Sequence, residues 1–423
     1  MKYQRIDSNL YIHNRKRFVA HLKPNSLAVF NSNDIITTSA DSSSPFVQHR
    51  DILHLCGVDQ EESILVVFPD CFEEKHREIL FLKETSDLIA VWEGAKLDKE
   101  QAFETSGIKT VYWLSQFDAV FNALMTEAEN VYINTNEHTR ANTEAQTRED
   151  RFVKKLKKKY SAHTYQRSAA IMHPIEIELM QKACDITEKG VRRLLGFIKP
   201  GVMEYNIEAE LMHEFLNNCS KGFAYTPIIA SGYSACVLHY IENNKECKDG
   251  DVILMDFGAE YGNYASDLTR CFPVNGKFTP RQKDVYNAVL RVKKAATKLL
   301  VPGTYLNEYH VAVGKLMETE LISLGLISQE DVQNEDPAWP AYKKYFMHGT
   351  SHYIGLDTHD LGLWTKPIRA GMVFTVEPGI YIPEENLGVR LEDDVVVQES
   401  GEPINLMGNI PIEADEIEAL MNQ

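Results

Sequence analysis

Apolar runs that lead directly into carboxylates constrain this chain more than any other feature of its sequence. In "DVILMDFG", an apolar run of four residues leads into Asp256, where a strand is predicted to be buried. The run "YASDLTRCF" places Asp267 at the start of another strand-like segment, and "VFTVEPG" places Glu377 directly after a third. Because a buried carboxylate is costly unless it is paired or bound to a cation, the fold must supply a partner for each of these acids.

A fourth strand-like run, "GVRLEDDVVV", puts Arg390, Glu392 and Asp394 on one face and Val389 and Leu391 on the other if the strand is continuous. For any one acid, a strand-end cap or an arginine partner is the simpler explanation. Together the acids are harder to explain, because two unit charges about 4 Å apart repel by roughly 4 kcal/mol at an effective dielectric constant of about 20. Two divalent cations would cancel the charge of four converging carboxylates and activate a shared water for hydrolysis.

The stretch "MHGTSHYIGLDTHD" (347–360) contains three histidines in fourteen positions. By itself it suggests a three-histidine zinc site of the kind found in hydrolases. Set beside the carboxylates, it can add an imidazole to the oxygen ligands. Such a mixed set suits manganese(II), iron(II), cobalt(II) or zinc(II).

Five residues in five short motifs, "MDFG", "SDLTR", "HGTSH", "TVEPG" and "VRLEDD", resemble in order and spacing the two-metal site of the pita-bread metallopeptidases: Asp256, Asp267, His352, Glu377 and Glu392. The resemblance runs through residues 170–423. The stretches "RKRFVAHLKPNSLAVF" and "SADSSSPFVQHRDILHLCGV" are similar to the amino-terminal domain of aminopeptidase P. The implied fold is α/β (α+β), with a creatinase-like α/β amino-terminal domain (1–165) before a pita-bread catalytic domain (170–423).

The resemblance implies a division of labour among the ligands. Asp256 would chelate one metal, Asp267 and Glu392 would bridge the pair, and His352 and Glu377 would complete the other metal. A water or hydroxide between the metals would be the nucleophile, and Glu377 would also shuttle a proton to the leaving proline nitrogen. Two divalent ions are expected, with Mn(II) first and Co(II), Zn(II) or Fe(II) as alternatives, because one ligand set accepts several metals.

The family also assigns roles to residues that do not bind metal. His239 would approach the substrate, His348 would line the proline pocket, and His359 would hydrogen-bond the substrate carbonyl and the developing oxyanion. Arg390 would orient the carboxylates. Tyr381, four residues after Glu377, is equally compatible with hydrogen bonding and with packing.

The implied function is that of an Xaa-Pro aminopeptidase, which removes an amino-terminal residue when proline is second. A prolidase, which cleaves only dipeptides, would use the same site and needs a group for the substrate carboxylate, for which Lys366 and Arg369 are candidates. The loop "IYIPEENLG" is shorter than in well-known bacterial aminopeptidases P and resembles that of short prolidases. A binding-only protein is disfavoured because such relatives have lost metal ligands, and methionine aminopeptidases are excluded because they lack the amino-terminal domain. A serine hydrolase is disfavoured because "GYSAC" around Ser234 lacks the second glycine of a nucleophile elbow.

Composition excludes several other classes. A length of 423 residues favours two domains, and a formal net charge of −17 disfavours nucleic acid as a partner. The basic run "RFVKKLKKKY" (151–160) is interpreted as the solvated face of a helix. No apolar stretch suits a membrane span or a signal peptide, and the seven scattered cysteines fit reduced thiols, so we expect a cytoplasmic protein. By resemblance, peptides are the substrates and a homodimer or homotetramer is expected.

Periodicity predicts the elements that carry these motifs. In the first half, six apolar runs are predicted strands: "LAVF", "SILVVF", "EILFLK", "DLIAVW", "TVYWL" and "VYINT". "QFDAVFNALMTEAE" is a predicted helix, and "SAHTYQRSAA" is interpreted as part of a connector. In the second half, one long helix is predicted to begin at Pro174 and to be ended by Pro200-Gly201. Three further helices are predicted at 205–218, 280–300 and 305–325.

Overall fold

The structure is a computed structural model that describes residues 4–39, 42–86, 96–134, 162–164 and 171–423. The chain divides into two compact units: the amino-terminal unit, Arg5–Arg167, and the carboxy-terminal unit, Ser168–Gln423 with Met1–Gln4. The predicted strand "DLIAVW" and the predicted helix at 151–160 lie outside the described residues. No helix in the described part of the chain is long and apolar enough to cross a membrane.

The amino-terminal unit is built on a six-stranded mixed sheet of order β6-β5-β4-β1-β7-β8. The strands of this unit, including a small β2–β3 hairpin, are β1 (Ser26–Asn31), β2 (Thr37–Ser39), β3 (Ser42–Ser43), β4 (Ile64–Val67), β5 (Glu78–Leu82), β6 (Thr110–Trp113), β7 (Asn130–Ile133) and β8 (Ala162–Thr164). Its helices are α1 (Asn9–Val19), α2 (Arg50–Cys56), α3 (Lys99–Ser106) and α4 (Phe117–Leu124). β4 is antiparallel to β1 and β5, whereas β5–β6, β1–β7 and β7–β8 are parallel pairs.

Five of the predicted strands in this unit are confirmed as β1, β4, β5, β6 and β7. They read as continuous apolar runs because both faces of the sheet are covered: Leu27 and Val29 lie in one buried cluster, and Ala28 and Phe30 lie in another. The predicted connector is wrong at 162–164, which form β8 beside β7. Parallel backbone pairing makes that short edge strand, and no apolar side-chain pattern signals it.

The carboxy-terminal unit combines small antiparallel sheets with long helices. Its sheets have the orders β13-β10-β9, β14-β17-β18, β15-β16 and β11-β12. The strands are β9 (Ile228–Ser231), β10 (Val252–Phe257), β11 (Glu260–Tyr261), β12 (Tyr264–Ala265), β13 (Leu268–Pro273), β14 (Val373–Val376), β15 (Gly379–Ile382), β16 (Leu387–Arg390), β17 (Asp393–Val396) and β18 (Ile404–Asn405). The helices are α5 (Pro174–Leu195), α6 (Glu204–Asn217), α7 (Pro280–Leu299), α8 (Leu306–Ser323), α9 (Gln329–Gln333) and α10 (Ala414–Met421).

The long helices follow their sequence signals closely. Thr279 caps α7 by accepting a hydrogen bond from the backbone of Gln282, and Pro280 occupies the first helical position. The predicted helices at 205–218, 280–300 and 305–325 are confirmed as α6, α7 and α8. Helix α5 ends at Leu195, short of the predicted stop at Pro200-Gly201, and Gly196 is its C-cap residue.

The run "LGVRLEDDVVV" is not the single strand that its sequence predicts. It divides into β16, where Arg390 pairs with Gly379, and β17, where Asp394 pairs with Thr375. The two strands belong to different sheets, and Leu391 and Glu392 form the crossing between them. The predicted common face of Arg390, Glu392 and Asp394 is nevertheless retained, because all three side chains bond to β13 or to the residue before it. Residues on both sides of the segment are buried. The crossing places Glu392 where two sheets meet.

Candidate metal centre

Strand ends bring the predicted ligands together. Asp256 lies in β10 opposite Thr269 of β13, and Asp267 immediately precedes β13. Glu392 donates its backbone N–H to the Thr269 carbonyl, at 3.1 Å. Glu377 follows β14 directly.

The segment that carries His352 runs along β14. Thr375 donates its backbone N–H to the carbonyl of His352 at 3.1 Å, and Glu377 donates its backbone N–H to the carbonyl of Thr350 at 2.8 Å. The His352 backbone N–H is in turn 3.2 Å from Thr375 Oγ1. This pairing fixes His352 and Glu377 as neighbours although 25 positions separate them in the sequence.

Within the described residues, one set of three side chains has ligand atoms that all lie within 4.8 Å of one another: Asp267, His352 and Glu392. His352 Nε2 is 3.5 Å from Asp267 Oδ2 and 3.7 Å from Glu377 Oε1. Asp256 joins the group through a tyrosine, because Tyr225 Oη is 2.5 Å from Oδ1 of both Asp256 and Asp267. All five predicted ligands thus meet at one place in the carboxy-terminal unit.

The imidazole of His352 presents the correct nitrogen for a metal. Its Nδ1 is 3.0 Å from the Tyr353 carbonyl oxygen, which can only accept, so Nδ1 carries the hydrogen. In the neutral ring, the unprotonated Nε2 then faces Asp267 and Glu377. A backbone carbonyl that fixes the tautomer in this way is a common outer partner of metal-binding histidines.

The electrostatics of the cluster call for added positive charge. Burial, followed by the charges of Asp267 and Glu377, raises the pKa of Glu392 well above its ordinary value. Burial alone would lower the pKa of His352, but Asp267 and Glu377 raise it to about 9. Without a cation, the cluster therefore favours a second proton on His352, the imidazole that would otherwise bind the metal. Carboxylates with one imidazole in such a setting fit divalent metal ions.

Arg390 connects two of the cluster carboxylates through hydrogen bonds. Its Nη2 is 2.5 Å from Asp256 Oδ2, and its Nε donates to Thr269 Oγ1 at 3.1 Å. The Thr269 hydroxyl then donates to Glu392 Oε2 at 2.6 Å. One guanidinium therefore contacts Asp256 directly and reaches Glu392 through a threonine.

A directed chain of hydrogen bonds continues from Arg390 to His348. Arg390 Nη1 donates to Tyr381 Oη at 2.8 Å, and Tyr381 Oη lies 2.7 Å from His348 Nε2. His348 Nδ1 is 2.7 Å from the Gly349 carbonyl oxygen, so Nδ1 is the donor and Nε2 accepts from the tyrosine. Burial, then repulsion by Arg390, lowers the pKa of His348 to about 3, so the ring is neutral. Tyr381, which the sequence left undecided, is a hydrogen-bonding residue here.

The other two predicted histidines lie at the exposed side of the cluster. The His359 ring stacks on His352 with centroids 4.0 Å apart and 23° between the planes, and His359 is exposed. His239 is also exposed, and after burial and the Arg390 charge it contributes to lowering the pKa of His348. Both positions suit contact with a substrate, and neither is in the set of close ligand atoms.

Asp394, which the sequence places on the same face as the ligands, has a different task. It is fully buried, and its Oδ2 accepts the backbone N–H of Asp267 at 3.0 Å. It therefore orients the loop before β13.

Sequence reasoning missed Tyr225 and Thr269. Tyr225 stands in "FAYTP", which carries no pattern of a functional site, and it reaches the cluster only through folding. Its hydroxyl has a single hydrogen yet lies 2.5 Å from two carboxylate oxygens, so the second contact needs a proton on one carboxyl or a cation nearby.

Replacing Tyr225 by phenylalanine should weaken divalent-metal binding by about 10- to 100-fold, because Asp256 and Asp267 lose the group that fixes their separation. The dissociation constant would be measured by competition with a chromophoric chelator. Tyr233→Phe is the matched control, since Tyr233 is 56% exposed. Equal affinities in the Tyr225 variant and the wild type would contradict the assigned role.

Comparison with known proteins agrees with this geometry. The sequence profile of metallopeptidase family M24 matches residues 178–399, and that of the aminopeptidase P N-terminal domain matches residues 11–132. The Xaa-Pro aminopeptidase of Escherichia coli is 34% identical and aligns over 96% of each chain. A structure of a candidate aminopeptidase P from Bacillus anthracis superposes with a TM-score of 0.90 at 30% identity over 99% of each chain. A zinc-substituted E. coli aminopeptidase P in complex with product gives 0.88 at 31% identity, again over 99% of each chain.

Proposed function

The chain belongs to metallopeptidase family M24, and we propose that it is an Xaa-Pro aminopeptidase that removes the amino-terminal residue of peptides with proline second. The observation that carries the proposal is the convergence of Asp267, His352 and Glu392, whose ligand atoms lie within 4.8 Å of one another. Full-length similarity to the E. coli Xaa-Pro aminopeptidase supports the substrate class. A proline nitrogen carries no hydrogen in a peptide, so a dedicated site is needed for this bond.

Five residues are proposed to hold two divalent ions: Asp256, Asp267, His352, Glu377 and Glu392. Mn(II) is the first candidate, and Co(II), Zn(II) and Fe(II) suit the same ligands. When bound, such ions supply Lewis acidity and generate a water-derived nucleophile at neutral pH. Family membership and the zinc-substituted relative support divalent metals in general.

Glu377 is the proposed proton carrier. Without metal, burial, opposed by His352 and Arg390, raises the pKa of Glu377 to about 7. As a general acid and base it would take and return one proton in each turnover. Its Oε2 lies 3.7 Å from His348 Nδ1. From this position Glu377 would accept a proton during attack on the carbonyl and deliver it to the departing proline nitrogen.

The exposed histidines are proposed to bind and polarise the substrate. His359, held by its stack on His352, would donate to the scissile carbonyl oxygen as negative charge develops there. His348, fixed by Tyr381 and Gly349, would line the proline pocket, and His239 would contact the substrate near it. Arg390 would orient the carboxylates, and it would orient His348 through Tyr381.

Peptide length separates this proposal from a prolidase. Lys366 and Arg369 are both exposed, and a prolidase could use either to hold a dipeptide carboxylate. We expect kcat/KM to be higher for an Xaa-Pro peptide of four or five residues than for Gly-Pro, measured by release of the first amino acid. Preference for Gly-Pro that is lost in a Lys366→Ala, Arg369→Ala double variant would identify a prolidase instead.

The remaining expectations belong to the same proposal. The amino-terminal domain is proposed to span 1–165 and the catalytic domain 170–423. Peptides are the proposed partners, the assembly is proposed to be a homodimer or homotetramer, and the proposed location is the cytoplasm.

A further inference from the structure

His239 lies in the segment 231–245, which begins at the last residue of β9 and has little regular structure of its own. Between β9 and β10 the chain makes a short 3-10 turn, Gly232–Cys236, and then runs through residues 237–245 without a strand or helix. Val237, His239 and Ile241 are exposed along it. Some interaction outside backbone ladders must therefore hold this segment, and with it the ring of His239.

A fully buried carboxylate holds the segment at three points. Glu204, in the first turn of α6, has no exposed surface. Its Oε1 accepts the backbone N–H of Ser231, and its Oε2 accepts the backbone N–H of Lys245, each at 2.9 Å. Tyr240, next to His239, donates its hydroxyl to Oε2 at 2.8 Å. One side chain thus binds the beginning, the middle and the end of the segment.

The contacts require a carboxylate. An ionised carboxylate only accepts hydrogen bonds, and all three groups facing Glu204 are donors. A glutamine of the same shape would turn an N–H group toward at least one of these donors, and an aspartate would be shorter by one methylene. The position of Glu204 at the N-terminus of α6 also favours negative charge.

The backbone around Glu204 completes the attachment. Glu204 donates its own N–H to the Lys245 carbonyl at 2.9 Å, and Cys247 donates to Val202 at 2.8 Å. Asn243 adds a second anchor, because its Oδ1 accepts the N–H of Ile229 at 2.9 Å. The chain enters and leaves the segment through fixed points, and the bond from Tyr240 to Glu204 attaches its middle beside His239.

We infer that Glu204 is a positioning residue for the reaction: through Ser231, Tyr240 and Lys245 it fixes the 231–245 segment so that His239 faces the substrate. The inference rests on the proposed function for the role of His239. It does not involve the metal ligands, and Glu204 does not touch the substrate.

Hydrogen–deuterium exchange on the full chain tests the first half of this inference. In Glu204→Gln we expect amide exchange in peptides covering 231–245 to rise about tenfold or more, with exchange in α5 and β13 unchanged. Glu210→Gln is the matched control, because Glu210 lies on the same helix but pairs with Arg193. Unchanged exchange in 231–245, or equal acceleration across the whole unit, would overturn the inference.

A double-mutant cycle tests the second half. Glu204→Gln should lower kcat/KM for an Xaa-Pro peptide by about 10- to 100-fold with bound metal retained, and should add no further loss in a His239→Ala background. Losses that multiply would show that Glu204 does not act through His239. If the wild type cleaves no Xaa-Pro peptide, the proposed function fails, while the exchange experiment still decides whether Glu204 fixes the segment. If Glu204→Gln does not fold, Tyr240→Phe removes one of the three bonds and should give the same pattern with a smaller effect.

Discussion

Replacing His352 by alanine should remove bound divalent metal and lower kcat/KM by at least about 1,000-fold. His352 offers the single imidazole of the close ligand set, with its Nε2 directed at Asp267 and Glu377. Without the His352 imidazole, the buried carboxylates also lose a positively charged partner, so they should take up protons instead of metal. Metal content by mass spectrometry and hydrolysis of an Xaa-Pro peptide would be measured on the same preparation.

His359→Ala is the paired variant that makes this result specific. The two rings stack with centroids 4.0 Å apart, so both changes remove an imidazole from nearly the same place. We expect His359→Ala to keep its metal and to lose about 100- to 1,000-fold in kcat, because a donor to the developing oxyanion is removed. Metal loss in both variants would show that His359 is also a ligand and that the assigned division is wrong.

Replacing Glu377 by glutamine should lower kcat by about 100- to 10,000-fold while most of the bound metal remains. Glutamine retains a carbonyl oxygen that can bind a metal, but it cannot carry the proton. Rapid-quench kinetics with an Xaa-Pro peptide would measure the chemical step, and metal analysis would accompany it.

Glu384→Gln is the control for this variant, since Glu384 is an exposed acid a few residues away. It should behave as the wild type in both measurements. A Glu377→Gln enzyme that retains the wild-type kcat would exclude Glu377 as the proton carrier, whereas parallel loss of metal and activity would restrict it to a ligand role.

The sequence predicted much of this site because burial makes strand-end acids conspicuous. Asp256 after an apolar run, Asp267 before one and Glu377 at the end of another each appear where a strand places them. The same logic explains why five of the strands in the amino-terminal unit were predicted: apolar side chains on both faces of a covered sheet leave an uninterrupted signal.

Other features depend on the folded chain and have no local signal. The bond from Tyr225 to Asp256 and Asp267 spans 31 and 42 positions, and that from Thr269 to Glu392 spans 123. The division of "LGVRLEDDVVV" into β16 and β17 arises because its two halves find partners in different sheets, which residue periodicity does not encode.

Metal titration with activity measured in parallel tests the central claim most directly. Protein stripped with a chelator would be titrated with Mn(II), and bound metal and release of the first residue from an Xaa-Pro peptide would be followed together. The account predicts no hydrolysis by the stripped protein and full hydrolysis when about two ions per chain are bound. Hydrolysis that persists without bound metal, or its absence in protein that carries two ions per chain, would contradict the account.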